Sequence, residues 1–421
     1  MSKSDNREVI SKSKLWMVAT ICVAISIMLA LQLWTKFKFP IEEDSLGTYG
    51  NFIEGIVGCI IAFYSAYLLV RTFQNQVEVN RNVMKTNETA EKATQQEIYN
   101  TKIQVFDNKF QSFMTCYNRA VEAYRYQSGE EKYVGRNAFE MMCKDFLDRD
   151  FKSDSVYSKR SRSAVAEYVD FYSKNRVYLA VHLRMLYLLV SLVSESNLDD
   201  KDKDKVLYAK LIRGQLSEFE MIMLRYNCLC SYGQKMQRYC NEFNLTKHVP
   251  IMQLLEFKKY HKVLLEAQPN ANKEELVAGL DGMFIILRKN AKTILNAKKV
   301  YEIAYNDCKS YTLTMRTDSK EFDFIIEKKE FNRRGGGERL TATEKALDRF
   351  TEEQLLGLFR DFLSELFFTS NFNTYNEDAD IVKGPIERTE NAFTCRFTIK
   401  SKQPIVLSEQ CMKKRDKAVK K

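Results

Sequence analysis

One apolar stretch of the sequence carries polar side chains of the types used in acid–base and ion-pair chemistry. Residues 208–233 read YAKLIRGQLSEFEMIMLRYNCLCSYG. Burying a polar group costs free energy unless the group is paired. The stretch therefore predicts either a catalytic or ligand site, or a hydrogen-bonded network inside a helical core. The polar residues concerned are Arg213, Gln215, Ser217, Glu220 and Asn227.

The spacing of these residues favours the network. Arg213, Ser217 and Glu220 are separated by four and three positions, so they would share one face of a continuous helix. His182, on an apolar face of the preceding predicted helix, could add a partner if the two helices pack antiparallel. A complete network fixes packing register, whereas a half-satisfied one is worse than an apolar core. We expect a structural polar network, and the catalytic alternative stays open.

Metal and phosphate chemistry have little support in the sequence. Its ten cysteines include no C-x-x-C pair, and only His182, His248 and His261 could join them as ligands. The glycines at 335–337 lack the Lys-Ser/Thr that follows in a phosphate-binding loop, so we read them as a flexible turn. We expect no metal, no cofactor and no enzymatic activity. Scattered cysteines suit the reduced thiols of a cytoplasm.

Length and composition indicate a folded, mostly helical protein of several domains. The chain has 421 residues, of which 45% are hydrophobic and 29% charged, with five prolines. The net charge of +10 is spread thinly. The densest cationic run, KKRDKAVKK at 413–421, is read as a solvated tail, with contact to anionic lipid or nucleic acid as the alternative.

Two apolar segments near the N-terminus predict a transmembrane hairpin over residues 15–73, after a short N-terminus at 1–14. Residues 15–35 carry no charge over 21 positions, enough for a helix to cross a bilayer core of about 30 Å. Trp16 and Trp34 would lie about 27 Å apart, one at each membrane interface. A second span at about 49–71 would return across the bilayer.

The distribution of basic residues predicts the orientation of this hairpin. Basic residues are more frequent outside the hairpin than in its connecting loop, which places both ends in the cytoplasm. The flanking basic residues are Lys3, Arg7, Lys12 and Lys14 before the first span, and Arg71, Arg81 and Lys85 after the second.

Small residues recur every four positions along the second span and predict close helix packing, hence a homo-oligomer in the lipid bilayer. Glu54 lies among them. It could line a pore or sense ions, or it could sit hydrated in the first helical turn near the outer interface. The predicted packing residues are Gly50, Glu54, Gly58, Ala62 and Ala66.

Residues 74–104 predict a solvated helical stalk of coiled-coil type, because they are polar, free of proline and glycine, and only weakly apolar in pattern. A helical domain follows at 105–268. It begins with an aromatic stripe that includes Phe106, Phe110 and Tyr117, and it continues in helices at about 129–147, 162–195 and 206–243.

The C-terminal portion, 269–421, predicts a small α+β module with a basic tail. After helices at about 273–308, SYTLTMRT and FDFIIEKKEF alternate as strands. The segment TEEQLLGLFRDFLSELFF reads as a helix, and FTCRFTIKSKQPIVL returns to strand. The fold class is therefore mainly α: a transmembrane hairpin, a helical cytoplasmic domain and this module.

Several of these segments, in this order, resemble the phage abortive infection family of AbiC-like bacterial membrane proteins. The resemblance covers about residues 45–260. The segments that carry it are LGTYGNFIEGIVGCIIAFYSAYLLVRTFQNQ, FDNKFQSFMTCYNRAVEAY, GRNAFEMM, HLRMLYLLVSLV, YAKLIRGQLSEFEMIMLRYNCL and NEFNLTKHVPI. The resemblance implies a two-span protein of the bacterial inner membrane that serves antiviral defence, and it brings no catalytic chemistry.

We therefore expect an antiphage effector whose cytoplasmic domain senses an unidentified phage-derived or host trigger and whose hairpin acts on the membrane. One alternative is a membrane-tethered enzyme acting on nucleic acid or nucleotide, with His182, Arg213 and Glu220 as its polar centre. Another is a non-catalytic scaffold or receptor that recruits a partner to the membrane.

Overall fold

The structure is a computed structural model, and its contacts divide the chain into two compact units, Met1–Asn100 and Thr101–Lys421. The predicted first span, the glycine run and the basic tail lie outside the described residues, apart from isolated positions between 20 and 34. The described ranges are 43–149, 151, 156–196, 203–266, 272–295, 301–317, 321–329, 340–390 and 392–400.

The predicted second span and stalk belong to one helix, α1, Glu43–Glu122. Among the described residues two helices are long and apolar enough to cross a membrane, Gly50–Glu122 and Arg176–Ser194. The apolar window of the first is unburied, whereas the second is partly buried, with Leu179 and Leu186 in the core. The membrane hairpin stays a prediction.

The end of α1 enters the helical core through the predicted aromatic stripe. Phe106, Phe110 and Tyr117 are buried in it. A β-hairpin that was not predicted follows, with β1 at Arg125–Ser128 and β2 at Glu131–Val134. Gly129 adopts φ +61° in its tight turn, a conformation that glycine takes without steric cost.

Among the described residues seven further helices form the helical part, and they are shorter than predicted. The predicted helix at 162–195 is two helices that meet at Asn175, and the one at 206–243 is broken twice. The helices are α2 Gly135–Leu147, α3 Tyr157–Lys174, α4 Arg176–Ser194, α5 Lys203–Gln215, α6 Glu218–Leu229, α7 Gln234–Phe243 and α8 Lys258–Glu266, with 3₁₀ turns at Ser231–Gly233, Ile251–Gln253 and Leu255–Phe257.

The C-terminal part combines helices with a small sheet, as predicted. The sheet has five antiparallel strands, of which Tyr301–Tyr305 and Ile381–Arg388 were not predicted, and the helix predicted to reach 308 ends at Leu295. The strand order is β3-β4-β5-β7-β6. Side chains of β4 and β5 alternate between buried and half-buried, the period-2 pattern of a sheet with one face in the core. The elements are α9 Lys273–Leu295, β3 Tyr301–Tyr305, β4 Tyr311–Thr317, β5 Phe322–Lys328, α10 Ala342–Leu347, α11 Glu352–Phe367, a 3₁₀ turn Thr369–Asn371, α12 Glu377–Asp380, β6 Ile381–Arg388 and β7 Phe393–Ile399.

Helix α11 lies between the sheet and the helical part. Phe359 contacts Phe324 of β5, with ring centroids 5.3 Å apart, and Phe362 stacks on Phe284 of α9 at 4.5 Å. Eleven of the sixteen residues of α11 are buried, and they include two acidic ones. A helix buried on so many sides must pair its charged groups inside the protein.

Helices α9 and α10 touch at Gly279. A Cβ atom there would lie 2.9 Å from the backbone nitrogen of Thr343 and 3.0 Å from the carbonyl carbon of Ala342. The Thr343 hydroxyl donates a hydrogen bond to the Gly279 carbonyl oxygen at 3.0 Å, which holds the two backbones together. Gly282, in the same helix, has nothing within 4 Å of its hypothetical Cβ.

We expect Gly279→Ala to lower the free energy of unfolding by about 1–3 kcal/mol, because the α9–α10 contact must open to admit the methyl group. Gly282→Ala is the matched control. It should raise stability by about 0.5–1 kcal/mol, since alanine favours a helix interior. Chemical unfolding of the two variants measures this difference, and changes of the same sign would contradict the close contact at Gly279.

Candidate functional site

Glu220 and Ser217 form the start of α6. The Ser217 backbone N–H donates to Glu220 Oε2 at 2.6 Å, and the Glu220 backbone N–H donates to Ser217 Oγ at 3.3 Å. This reciprocal pair is a capping box, which satisfies backbone donors that a helix start leaves unpaired. It ends the continuous helix assumed from the spacing. The S-x-x-E sequence from Ser217 to Glu220 could have revealed the break.

The other carboxylate oxygen of Glu220 faces the core. The Tyr117 hydroxyl donates to Glu220 Oε1 at 2.7 Å, and His182 Nε2 lies 3.6 Å from the same oxygen. Arg136, half exposed, places Nη1 3.9 Å from Oε2. Burial and the neighbouring Glu220 charge raise the pKa of Tyr117 well above its ordinary value, so its hydroxyl stays a donor. His182 and Glu220 are therefore brought together as the sequence predicts.

His182 is enclosed by aromatic rings. Its ring lies 5.1 Å from that of Tyr117, 5.2 Å from Phe139 and 5.8 Å from Tyr124. Burial lowers the pKa of His182 to about 4, although the nearby Glu220 charge opposes the shift. The imidazole is thus neutral at pH 7, and its Nδ1 has no hydrogen-bond partner among the described residues. A neutral histidine packed in this way acts as a core residue.

The other predicted network residues lie elsewhere. Arg213 is in α5 and points its guanidinium at the carbonyl oxygens of Phe243 and Asn244, at 3.3 and 3.4 Å. Gln215 is exposed, and its carbonyl oxygen accepts a hydrogen bond from Arg136. Asn227 is buried, and its Oδ1 is 3.5 Å from the Tyr168 hydroxyl. The prediction that Arg213, Ser217 and Glu220 share one helical face is wrong, because the capping box separates two helices.

A larger charge cluster is centred on Arg225 of the same stretch, and it was not predicted from the sequence. Arg225, fully buried, donates from Nε and Nη2 to the two carboxylate oxygens of Glu365 at 2.7 and 2.6 Å, and from Nη2 to Glu256 Oε1 at 3.0 Å. Tyr226 donates to Glu256 at 2.6 Å, and Tyr157 donates to Glu365 at 2.7 Å. Fork-shaped pairing of this kind is the strongest arrangement for arginine and carboxylate.

The two carboxylates keep Arg225 charged. Burial by itself lowers the pKa of its guanidinium, but Glu256 and Glu365 more than offset this, so the pKa lies well above its ordinary value. Burial lowers the pKa of the neighbouring Arg288 to about 10, with Glu365 raising it and Arg225 lowering it further. At neutral pH both guanidinium groups are cations in the core.

A second ion cluster lies beside the first. Arg160, also fully buried, pairs with Asp361 of α11, and its Nε donates to the Glu256 carbonyl oxygen at 3.2 Å. Lys259 Nζ is 3.0 Å from the same Asp361 carboxylate, which also accepts from the Tyr260 hydroxyl. Burial raises the pKa of Asp361, and Arg160 and Lys259 act against that rise. The two clusters join α3, α6 and α8 to α11.

The geometry of these groups suits structure rather than turnover. The buried carboxylates of Glu220, Glu256 and Glu365 are each held by donors from the protein itself. Among the described residues no group of three or more His, Cys, Asp or Glu side chains is placed to hold a metal ion. A groove of about 680 Å³ between α1 and α4 is lined in part by Lys102 and Leu188, and it contains none of the clustered residues.

The predicted packing residues of the second span all lie on α1. Each is exposed, so the described chain leaves this side of the helix open. They are Gly50, Glu54, Gly58, Ala62 and Ala66.

Arg225→Met should lower the free energy of unfolding by about 3–5 kcal/mol, because it leaves two buried carboxylates without their cation. Adding Glu365→Gln to that variant should recover part of the loss. The control is Arg238→Met, whose ion pair with Glu195 is exposed and contributes little. Chemical unfolding of the three variants decides the matter, and equal stability of the Arg225 and Arg238 variants would show that the cluster is not structural.

The neutral His182 predicts a dependence of stability on pH. The pKa of His182 is about 4 in the folded protein and 6.5 in the unfolded chain. Its contribution to stability is therefore complete above pH 6.5 and is lost as the pH falls towards 4. We expect the fold to lose about 2 kcal/mol from this residue between pH 7 and pH 5. His182→Phe should remove that part of the loss. Urea unfolding at both pH values measures it; parallel profiles for the two proteins would refute the assignment, and pH 8 serves as the control.

Comparison with known proteins identifies one family. Residues 174–254 match the family model described as "Putative phage abortive infection protein". The matched residues span α4 to α7 and include both Glu220 and Arg225. No curated protein and no solved structure matches the chain. The family match confirms, over residues 174–254, the similarity to the phage abortive infection proteins that the sequence predicts.

Proposed function

We propose that this protein is a membrane-anchored effector of bacterial antiphage defence by abortive infection. The observation that carries the proposal is the family match over residues 174–254, which suggests antiphage defence. Within this region Glu220 and Arg225 are paired with buried groups of the protein, Glu220 with Tyr117 and Arg225 with Glu256 and Glu365, which favours a sensing or coupling role over catalysis.

In this proposal residues 15–73 form a hairpin in the bacterial inner membrane, with both chain ends in the cytoplasm. The support is the charge-free stretch at 15–35, the unburied apolar window of α1 and the excess of lysine and arginine outside the hairpin. The lipid bilayer is the first partner, and a second copy of the chain is the next.

Residues 101–421 would receive the infection signal as one body. Its helical part and its sheet share α11, and buried ion pairs join them. Because breaking such pairs is costly, a phage-derived or host trigger bound at either part would shift the whole unit rather than one half of it. The response would be a rearrangement of the hairpins that impairs the membrane and ends the infected cell.

The test compares infected cells that carry the full chain with cells that carry a chain lacking residues 1–73. We expect the full chain to protect the culture and to admit a membrane-impermeant dye after infection, and the shortened chain to do neither. Protection without dye entry would favour a scaffold that recruits a partner. Full protection by the shortened chain, at equal protein level, would exclude a membrane effector.

A single substitution on the open ridge of α1 separates assembly from folding. Apart from its chain neighbours and the adjacent backbone of its own helix, no described atom lies within 4 Å of a Cβ built at Gly58, so Gly58→Leu fits the described single chain. If helices meet at this ridge, the larger side chain blocks their approach and protection is lost. Cys59→Leu, about 100° round the helix, is the control and should protect normally. Protection by stably inserted Gly58→Leu protein would contradict association through the ridge.

A further inference from the structure

In the part of the chain that the structure describes, the middle of α1 is a long helix without a neighbour. Every residue from Thr72 to Ile98 is exposed. Helices in proteins gain most of their stability from packing an apolar face against other elements rather than from the intrinsic propensity of their residues. This stretch nevertheless carries aliphatic side chains, so its surface is not that of a purely solvated rod.

Four of the exposed apolar side chains recur at intervals of seven residues, whereas Val79 and Val83 lie outside the series. Val70, Val77, Met84 and Ile98 are 54%, 51%, 67% and 51% exposed, and only Glu91 interrupts the series. A period of seven residues departs from the 3.6-residue turn of a straight helix. It keeps one seam in contact with a partner only if two helices supercoil around each other.

A second set of residues completes the seam. Three positions after Val70, Val77, Met84 and Glu91 come, in that order, Phe73, Asn80, Asn87 and Thr94. The two asparagines are informative, because a polar residue in a coiled-coil seam specifies register at a cost in stability, and in an identical helix in the same register each asparagine meets its own copy. This pairing requires parallel helices, since antiparallel ones would set each asparagine opposite a different residue.

We propose that two copies of this chain pair through residues 70–98 as a parallel, in-register coiled coil. The positions that flank the seam are compatible with this, because none of the facing pairs joins like charges. In that register the facing pairs are Gln76 with Arg81, Val83 with Glu88, and Ala90 with Gln95.

Glu91 makes the pairing weak. In a parallel pair the two Glu91 carboxylates face each other across the seam, and like charges at such separations repel. Along the seam, Val70, Val77 and Met84 precede Glu91, and only Ile98 follows it. Pairing by this segment is readily reversible, which suits association that forms only when other contacts support it.

The inference rests on residues 70–98 of α1, which comprise the end of the predicted second span and most of the predicted stalk, and pairing along the stalk does not require a membrane. It goes beyond the proposed function by assigning a defined contact to the second copy. The two proposals can fail separately. If the Gly58→Leu variant loses protection while pairing through residues 70–98 persists, the seam contact does not depend on the ridge contact.

The experiment uses the full chain in detergent, with a photo-crosslinking amino acid at position 84 in the seam or at position 82 on the opposite side. We expect dimers to form from position 84 several times more often than from position 82. Equal yields from both positions would overturn the proposal.

Substitutions on the same helix supply the second measurement, made by light scattering. Val77→Asn should raise the dissociation constant at least tenfold, whereas Val79→Asn, at a position that is 57% exposed but outside the seam, should leave it unchanged. Glu91→Leu should lower the constant by a similar factor. Indistinguishable Val77 and Val79 variants, or a Glu91→Leu protein that pairs no more tightly, would show that this seam is not the contact.

Discussion

Arg225 lies between Glu256 and Glu365, which are 31 and 140 residues away in the sequence, and all three side chains are buried. An uncompensated charge at such a site would cost several kcal/mol, so the three groups have to be buried together. Glu365 belongs to α11, whose Phe359 and Phe362 pack on the sheet and on α9. Forming the ion cluster therefore fixes how the sheet docks on the helical part.

Glu220 acts in the same way at the other end of α6. It starts this helix through Ser217 and accepts from Tyr117 of α1, beside His182 of α4. Apolar burial supplies most of the driving force for folding, but it is non-directional. The paired polar groups supply direction, because only one relative placement of the helices satisfies them. Helix α6 thus carries a structural polar contact at each end.

These contacts bear on which side chains remain open to partners. The polar residues that looked most reactive are held by other groups of the protein, Glu220 by Tyr117 and Arg213 by backbone carbonyls, whereas residues 72–98 of α1 are all exposed and open to a partner. The unit that includes residues 43–100 exposes small residues along the predicted span. It also exposes the apolar side chains that recur at intervals of seven residues from Val70 to Ile98. In the proposed effector, one unit would receive the signal and the other would act on the membrane through contacts between copies.

Local patterns in the sequence determined the class of the fold. The alternation in SYTLTMRT and FDFIIEKKEF identified β4 and β5, and the aromatic spacing from Phe106 onward identified a core stripe, because both periods arise within a few residues. The ordered segments also determined the family resemblance. The polar site was harder to predict from the sequence. Its residues share one face only if the helix is unbroken, whereas the Ser217–Glu220 cap divides it into two helices. Only the tertiary structure decided that Arg225 is the charged centre, because its partner Glu365 is 140 residues away and no local pattern links two such residues before the chain has folded.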